Sequence, residues 1–258
     1  MAKYNLSAGH NPDGKIACGA VGLIKESTEA RKVKDLVIKY LKLQGHTVYD
    51  CTVNDGTSSN DVLKKIVKKC NAHDVALDVS IHFNAGANNR KGNGRTTGTE
   101  VLIYSSSSKA KDEATRICKE VAKLGFKNRG VKVRDGLYFL KNTNAPALLV
   151  EVCFVDDLDD VALYQANVDK VARAIVKGIT GKEVITFEPY LIKVANVDKG
   201  DVLNVRSEPN SASKIMDTLD YNDPNKYTII EECKGWGLMK AGEENRNRWI
   251  NLYYTKKV

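Results

Sequence analysis

VALDVSIHF, residues 75–83, and PALLVEVCF, residues 146–154, decide how this chain folds. Each is an apolar run too short for a core helix but long enough for a buried strand, and each carries one residue able to do chemistry: His82 in the first, Glu151 in the second. Around them, KYNLSA (3–8), HTVYDCTV (46–53) and GTEVLIYS (98–105) read as further strands. Helical patterns fall between them. One starts near Ser27, repeats its apolar residues at Val33, Leu36, Val37, Tyr40 and Leu41, and stops at Gly45. A second, capped by Ser59 or Asn60, places Val62, Leu63, Ile66, Val67 and Cys70 on one face. Lys109–Leu124 and Leu158–Ile179 complete the set, the last stopped by Gly181. Strands alternating with helices predict an α/β fold: a mixed, largely parallel sheet flanked by helices.

After Gly181 the helical period disappears. PYLIKVAN, DVLNVRS, KIMDTL, KYTIIEEC, GWGLMK and RWINLYYT are short β-type runs, broken by Pro189, Pro209, Pro224 and many Asn, Asp and Gly. A pattern of this kind predicts a small all-β module. The expected domains are therefore 1–181 and 188–258.

Among 258 residues, 42% are hydrophobic and 28% charged, which suits a folded soluble chain. No stretch reaches the roughly 18 apolar residues of a membrane-spanning helix, so no membrane insertion is expected. MAKYNLSAGHNPDG has no apolar segment ahead of a cleavage site, so no signal peptide is expected either. The six cysteines form no C-x-x-C pair and read as reduced core residues. Residues 1–183 hold 29 Lys and Arg against 21 Asp and Glu, whereas 184–258 hold 11 of each, so the net +8 belongs to the first part. That charge serves solubility or attraction to a polyanion. Nucleic acid is an expected non-partner, because no DNA-binding motif accompanies it and no aromatics cluster with the basic residues.

In open α/β sheets functional residues gather at the carboxyl ends of strands. His10 follows the first strand, His82 lies at the end of the third, and Glu26 precedes the first helix. Two imidazoles and a carboxylate would leave a fourth position open, as in a catalytic rather than a structural zinc site. The spacing alone, 16 and 56 residues, is equally compatible with unrelated structural residues. Glu151 in its apolar run is costly unless it is paired or held near a metal; an ion pair with a nearby Lys or Arg is the alternative to a proton-transfer role.

SAGHNPDGKIACGAVGLIKESTEAR (7–31), SIHFNAG (80–86) and PALLVEVCFVDD (146–157), in this order, closely resemble the zinc N-acetylmuramoyl-L-alanine amidases of bacterial autolysins and phage endolysins. The resemblance covers about residues 3–180. It implies that His10, Glu26 and His82 bind Zn2+, that Glu151 is the catalytic acid/base, and that the substrate is peptidoglycan, cut between N-acetylmuramic acid and L-alanine. Asn11 and Cys153 depart from the family, where glycine is frequent; neither position is a ligand. Asn84 is a candidate substrate-binding residue, and the loop 84–97 is expected beside the cleft, its Arg90, Lys91 and Arg95 either meeting anionic wall polymer or simply solvated. LNVRSEP (203–209), with GWGLMK and RWINLYY, resembles bacterial SH3-like wall-binding modules, where Trp236, Trp249 and Tyr253 or Tyr254 could line a groove or sit in the core.

Without a signal peptide, the endolysin type is expected over a secreted autolysin: the protein would collect in the host cytoplasm until lysis, then act on the wall. Two rivals are a cysteine-dependent wall peptidase using Cys18 or Cys153 with a histidine base, and a wall-binding protein with a dead catalytic half. Nothing in the pattern specifies an oligomeric state.

Overall fold

The computed structural model describes residues 1–185, 187–240 and 248–258. The chain forms two compact units, Met1–Val184 and Ile185–Val258. Thr186, within the expected junction 182–187, lies outside the described residues.

The first unit runs β1 (Lys3–Ala8), α1 (Glu26–Leu43), β2 (Thr47–Asp50), α2 (Ser59–Cys70), β3 (Leu77–Asn84), β4 (Thr99–Ile103), α3 (Lys111–Ala122), β5 (Asn128–Val133), α4 (Tyr138–Asn142), β6 (Ala147–Phe154) and α5 (Leu158–Thr180). The six strands form one sheet in the order β2-β1-β3-β6-β4-β5. Every neighbouring pair is parallel except β4 against β6, which is antiparallel. The mixed, largely parallel sheet expected from the alternation is therefore present. β5 and α4 add to that reading: NRGVKV is polar and only half-buried, and the five-residue α4 is too short to show a helical period.

Helices cover both faces, so the central strands β3 and β6 are buried almost throughout. Successive side chains of a strand point to opposite faces, and the sequence uses this. Tyr4, Leu6 and Ala8 of β1, Val79, Ile81 and Phe83 of β3, and Leu148, Val150 and Val152 of β6 pack with α1, α3 and α5 in the larger core. Leu102 of β4 and Leu149 of β6 face the other way, into a smaller core with Val62, Ile66, Phe139 and Leu140 of α2 and α4. The intervening polar residues of β1 and β3, Asn5, Ser7, Asp78, Ser80 and His82, are buried.

Asp157 caps α5, accepting from the backbone N–H groups of Asp159 and Asp160, and Gly181 at φ 72° ends it. Glu26, expected just ahead of α1, is its first residue.

Asp78 shows what such a face costs. Asn5 Nδ2 donates to its Oδ1 at 2.7 Å, yet burial pushes the carboxyl up to about 6. A carboxyl raised from 3.8 stabilises the fold below about pH 4, and that contribution is lost as pH rises through 6, a swing of roughly 3 kcal/mol. Asp78→Asn should therefore come closest to the parent in urea unfolding at pH 3 and exceed it at pH 8. An equal gap at both pH values would contradict this origin.

The second unit contains β7 (Tyr190–Val194), β8 (Val202–Arg206), β9 (Ile215–Asp220), β10 (Tyr227–Cys233), β11 (Trp236–Met239), β12 (Trp249–Asn251) and β13 (Thr255–Lys257). They form a sheet in the order β13-β7-β10-β11-β12-β8-β9, every neighbouring pair antiparallel. Its core is Ile192, Val194, Leu203, Val205, Leu219, Ile229, Met239 and Ile250. Trp249 is buried, whereas Trp236 is partly exposed and Tyr253 stands out into solvent. No described helix is long and apolar enough to cross a membrane.

A His/Glu/His cluster facing an unpaired carboxyl

Beyond β1 the chain turns through Gly9 into His10. Asn11, buried, holds this turn: its Nδ2 donates to Ile16 O and Gly56 O at 2.8 and 2.7 Å, and its Oδ1 accepts from Gly56 N at 3.0 Å. Arg31 on α1 adds a clamp, donating to His10 O at 2.7 Å and Val53 O at 3.0 Å. The departure at Asn11 thus has a use, tying the histidine loop to the loop ahead of α2.

Glu26 enters from the N-terminus of α1, where the helix dipole favours a carboxylate. Its Oε2 accepts from Ala20 N at 2.8 Å and its Oε1 from Phe83 N at 3.2 Å. Oε1 also lies 3.2 Å from His10 Nε2 and 3.0 Å from His82 Nδ1. Burial alone would raise this carboxyl; the hydrogen bonds to His10 and His82 outweigh it and hold the group far below the usual range. His82 is buried, which lowers its pKa and keeps the imidazole neutral, the form that offers a lone pair to a metal. Its second nitrogen, Nε2, is 3.0 Å from Ser80 Oγ. The two imidazoles meet edge to face, 5.0 Å between centroids.

One donor atom from each of His10, Glu26 and His82 lies within 4.8 Å of the others. Among the described residues this is the one His/Cys/Asp/Glu group so placed. Two imidazoles and one ionised carboxylate are a donor set that suits zinc.

Two glycines make room for the cluster. A Cβ on Gly9 would sit 1.7 Å from His82 Cε1. On Gly19, which has φ 80°, it would lie 2.6 Å from Glu26 Oε2. Gly9→Ala must therefore push the His82 ring aside. The expected result is a folded protein by circular dichroism whose zinc content on dialysis falls well below the parent's; unchanged zinc content would count against this packing.

Glu151 reaches the same cleft through strand register. His82 on β3 is paired with Glu151 on β6, and Glu151 with Glu100 on β4, so the three residues form a row across the sheet. Glu151 Oε2 is shielded from solvent and has no hydrogen-bond partner. No Lys or Arg pairs with Glu151 among the described residues; Arg129 instead binds Glu100 at 2.8 Å and stacks 4.9 Å over Phe154. Burial, then the charges of Glu26 and Glu100, push the Glu151 carboxyl up to about 8. A carboxyl poised near neutral pH can give and take a proton.

The cleft has a volume of about 520 Å3. His10, Glu26, His82 and Glu151 line one part, and Leu63, Leu102, Leu137 and Tyr138 an apolar part, with Arg134 among the lining residues. Asn84 lines it too, its Nδ2 donating to Glu100 Oε1 at 2.9 Å. The loop after Asn84 is gripped by Asp156, whose carboxylate accepts from the backbone N–H groups of Gly86, Ala87 and Asn88. Arg90, Lys91 and Arg95 are not among the residues lining the cleft. Sequence reasoning missed Ser80, Glu100, Arg129 and Arg31; only the strand register and the fold reveal them.

The cysteines do not suit nucleophilic catalysis. Cys153 is fully buried in the larger core, and burial pushes its thiol well up. Cys18 makes no hydrogen bond to a histidine among the described residues; all six cysteines are unpaired, but only Cys51, Cys70, Cys118 and Cys153 are the core residues expected, Cys18 and Cys233 being half-buried.

Residues 5–181 match the model of the N-acetylmuramoyl-L-alanine amidase family, and the chain belongs to that family. Over 184 residues it is 38% identical to an uncharacterized protein of Clostridium perfringens, covering 70% of this chain but 52% of that relative. It is 34% identical over 265 residues to the endolysin of Bacillus phage SPP1, covering 96% of this chain and 91% of that one. The chain thus spans about half the length of the first of these relatives. The solved catalytic domain of the CD27L endolysin targeting Clostridia Difficile aligns with TM-score 0.63 and 26% identity, covering 72% of this chain and all of that one.

Proposed function

We propose that residues 1–184 hydrolyse the amide between the lactyl group of N-acetylmuramic acid and L-alanine in peptidoglycan, using zinc held by His10, Glu26 and His82. The observation that carries this reading is the row His82–Glu151–Glu100, which sets an unpaired carboxyl beside the His/Glu/His cluster. Zinc bound there would supply Lewis-acid polarisation of the scissile carbonyl. Glu151 accepts the proton of the attacking water and delivers it to the departing alanine amine. Ser80 and Glu26 fix the His82 ring between them. Arg129, by neutralising Glu100, limits the negative charge around Glu151. Asn84 lines the cleft with its amide turned to Glu100, so its role is to position that carboxylate and border the stem peptide.

The likeness to the phage SPP1 endolysin over nearly its whole length supports the same role here: accumulation in the host cytoplasm and attack on the wall at lysis. The antiparallel sheet of residues 185–258 and its LNVRSEP segment support an SH3-like, wall-binding module.

Digestion of purified peptidoglycan with and without EDTA tests the central claim. New alanine N-termini without new reducing ends, lost with EDTA and restored by zinc, are expected. Release of other N-termini, or release indifferent to chelation, would overturn it.

A further inference from the structure

The second unit has a cleft of its own, about 390 Å3 in volume. Its floor follows from strand alternation. Leu203 and Val205 of β8, Met239 of β11 and Ile250 of β12 point into the core, so Asn204, Arg206, Trp236 and Asn251 lie on the opposite face. β11, β12 and β8 are adjacent, and Trp236 is paired with Asn251. This face therefore presents an indole, amides and a guanidinium side by side, and the cleft opens on it.

Its rim is built from two segments locked together. Asn196, at φ 51°, donates from Nδ2 to Tyr253 O at 3.0 Å, and Ala195 N donates to Tyr254 O at 2.9 Å. Asn251 Oδ1 accepts from Tyr253 N at 3.0 Å and shapes the turn that carries Tyr254. The first segment brings Asp198 and Asp201 to the cleft and the second brings Tyr254. Neither aspartate pairs with a Lys or Arg among the described residues. Asp201 accepts only from Val202 N, at 2.7 Å. Arg206 is held by one nitrogen, donating to Ser213 O.

Two carboxylates without a cation partner beside aromatic rings form a seat for an ammonium group. A guanidinium in the same cleft complements a carboxylate. A ligand carrying both charges fits this lining better than a neutral sugar or a polyanion.

We infer that this cleft binds the zwitterionic end of a peptidoglycan stem peptide, with the ammonium of its diamino acid between Asp198, Asp201 and Trp236 and a carboxylate toward Arg206. The identity of the polymer rests on the amidase reading above; the charge pattern of the cleft does not. Bound in this way, the second unit would hold the enzyme on stems whose side-chain amine is not cross-linked, since a cross-link consumes that amine.

The probe is the tripeptide L-Ala-γ-D-Glu-meso-diaminopimelate, which lacks the muramoyl amide and so is not hydrolysed by the proposed reaction. The chain has two tryptophans, Trp236 and Trp249, both in this unit, so their fluorescence reports on it. Titrating the full chain should give a saturable change. The affinity should fall at least tenfold in Asp198→Asn/Asp201→Asn, and equally when the peptide's side-chain amine is acetylated. Trp236→Phe, followed by calorimetry, should weaken binding less, because an aromatic face remains. Absence of saturable binding, or binding undiminished by the double substitution or by acetylation, overturns the inference. Peptide binding lost in the double variant, together with a failed digestion of peptidoglycan, would sink the amidase reading and leave this site standing; alanine release without peptide binding would do the reverse.

Discussion

Glu151→Gln should lower turnover on peptidoglycan about 10²–10⁴-fold, the range that general acid–base groups contribute, while bound zinc stays at the parent's level. The amide keeps the shape of the carboxyl and removes its ability to exchange a proton. Glu151 hydrogen-bonds no member of the cluster, so its loss leaves the His10, Glu26 and His82 contacts intact. It also removes a buried ionisable group that has no ion-pair partner, so thermal stability at pH 8 should hold or rise. Parallel assays of turnover, zinc content and melting separate these effects. Near-parental turnover would remove Glu151 from the proton-transfer role, and a fall in zinc content would place it among the ligands instead.

His82→Ala should abolish activity by a different route. The imidazole is one of two that contact Glu26 Oε1, and its far nitrogen is anchored to Ser80. Removing it takes away a donor atom and leaves Glu26 buried with fewer hydrogen bonds, which raises its carboxyl from its depressed value. Zinc affinity should fall by more than the roughly 10–100-fold typical of losing a group that merely orients a ligand. Ser80→Ala is the matched comparison: it should stay within that smaller range, because Nδ1 of His82 still faces Glu26. Competition against a chromogenic chelator reads both affinities. Full zinc stoichiometry in His82→Ala would show that the ligand set is drawn wrongly.

The legible part of this fold was the part written in local pattern. Long apolar runs at 75–83 and 146–154 announced the two central strands, and periodic helices announced α1, α2, α3 and α5. His82 and Glu151 stood out because each is a polar residue in such a run. β5 escaped because its side chains are half-exposed and its pairing with β4 is settled by a partner some thirty residues away. Glu100 escaped for a related reason: in GTEVLIYS it looks like the solvent side of an alternating strand, and only the β4–β6 register turns it toward Glu151. Arg31 reads as one more surface charge on a helix, yet it closes on a carbonyl twenty-one residues back. Such contacts depend on long-range placement, which hydrophobic periodicity does not encode.

The row across β3, β6 and β4 also governs which changes of chain length this family member can absorb. Alternation has a period of two, so one residue added within β3 upstream of His82 would turn its imidazole into the packing of α1 and α5 and bring an apolar neighbour to the water side. The same holds for β6 and Glu151. The turn at 92–95, largely exposed and held by the Asp159 carboxylate through the N–H groups of Asn93 and Gly94, obeys no such parity, and a change of length there leaves the row in register. Homologues should therefore vary in their loops while keeping the length of these two strands, and a library of single-codon insertions should lose all activity between 77 and 82 yet retain clones altered at 92–95.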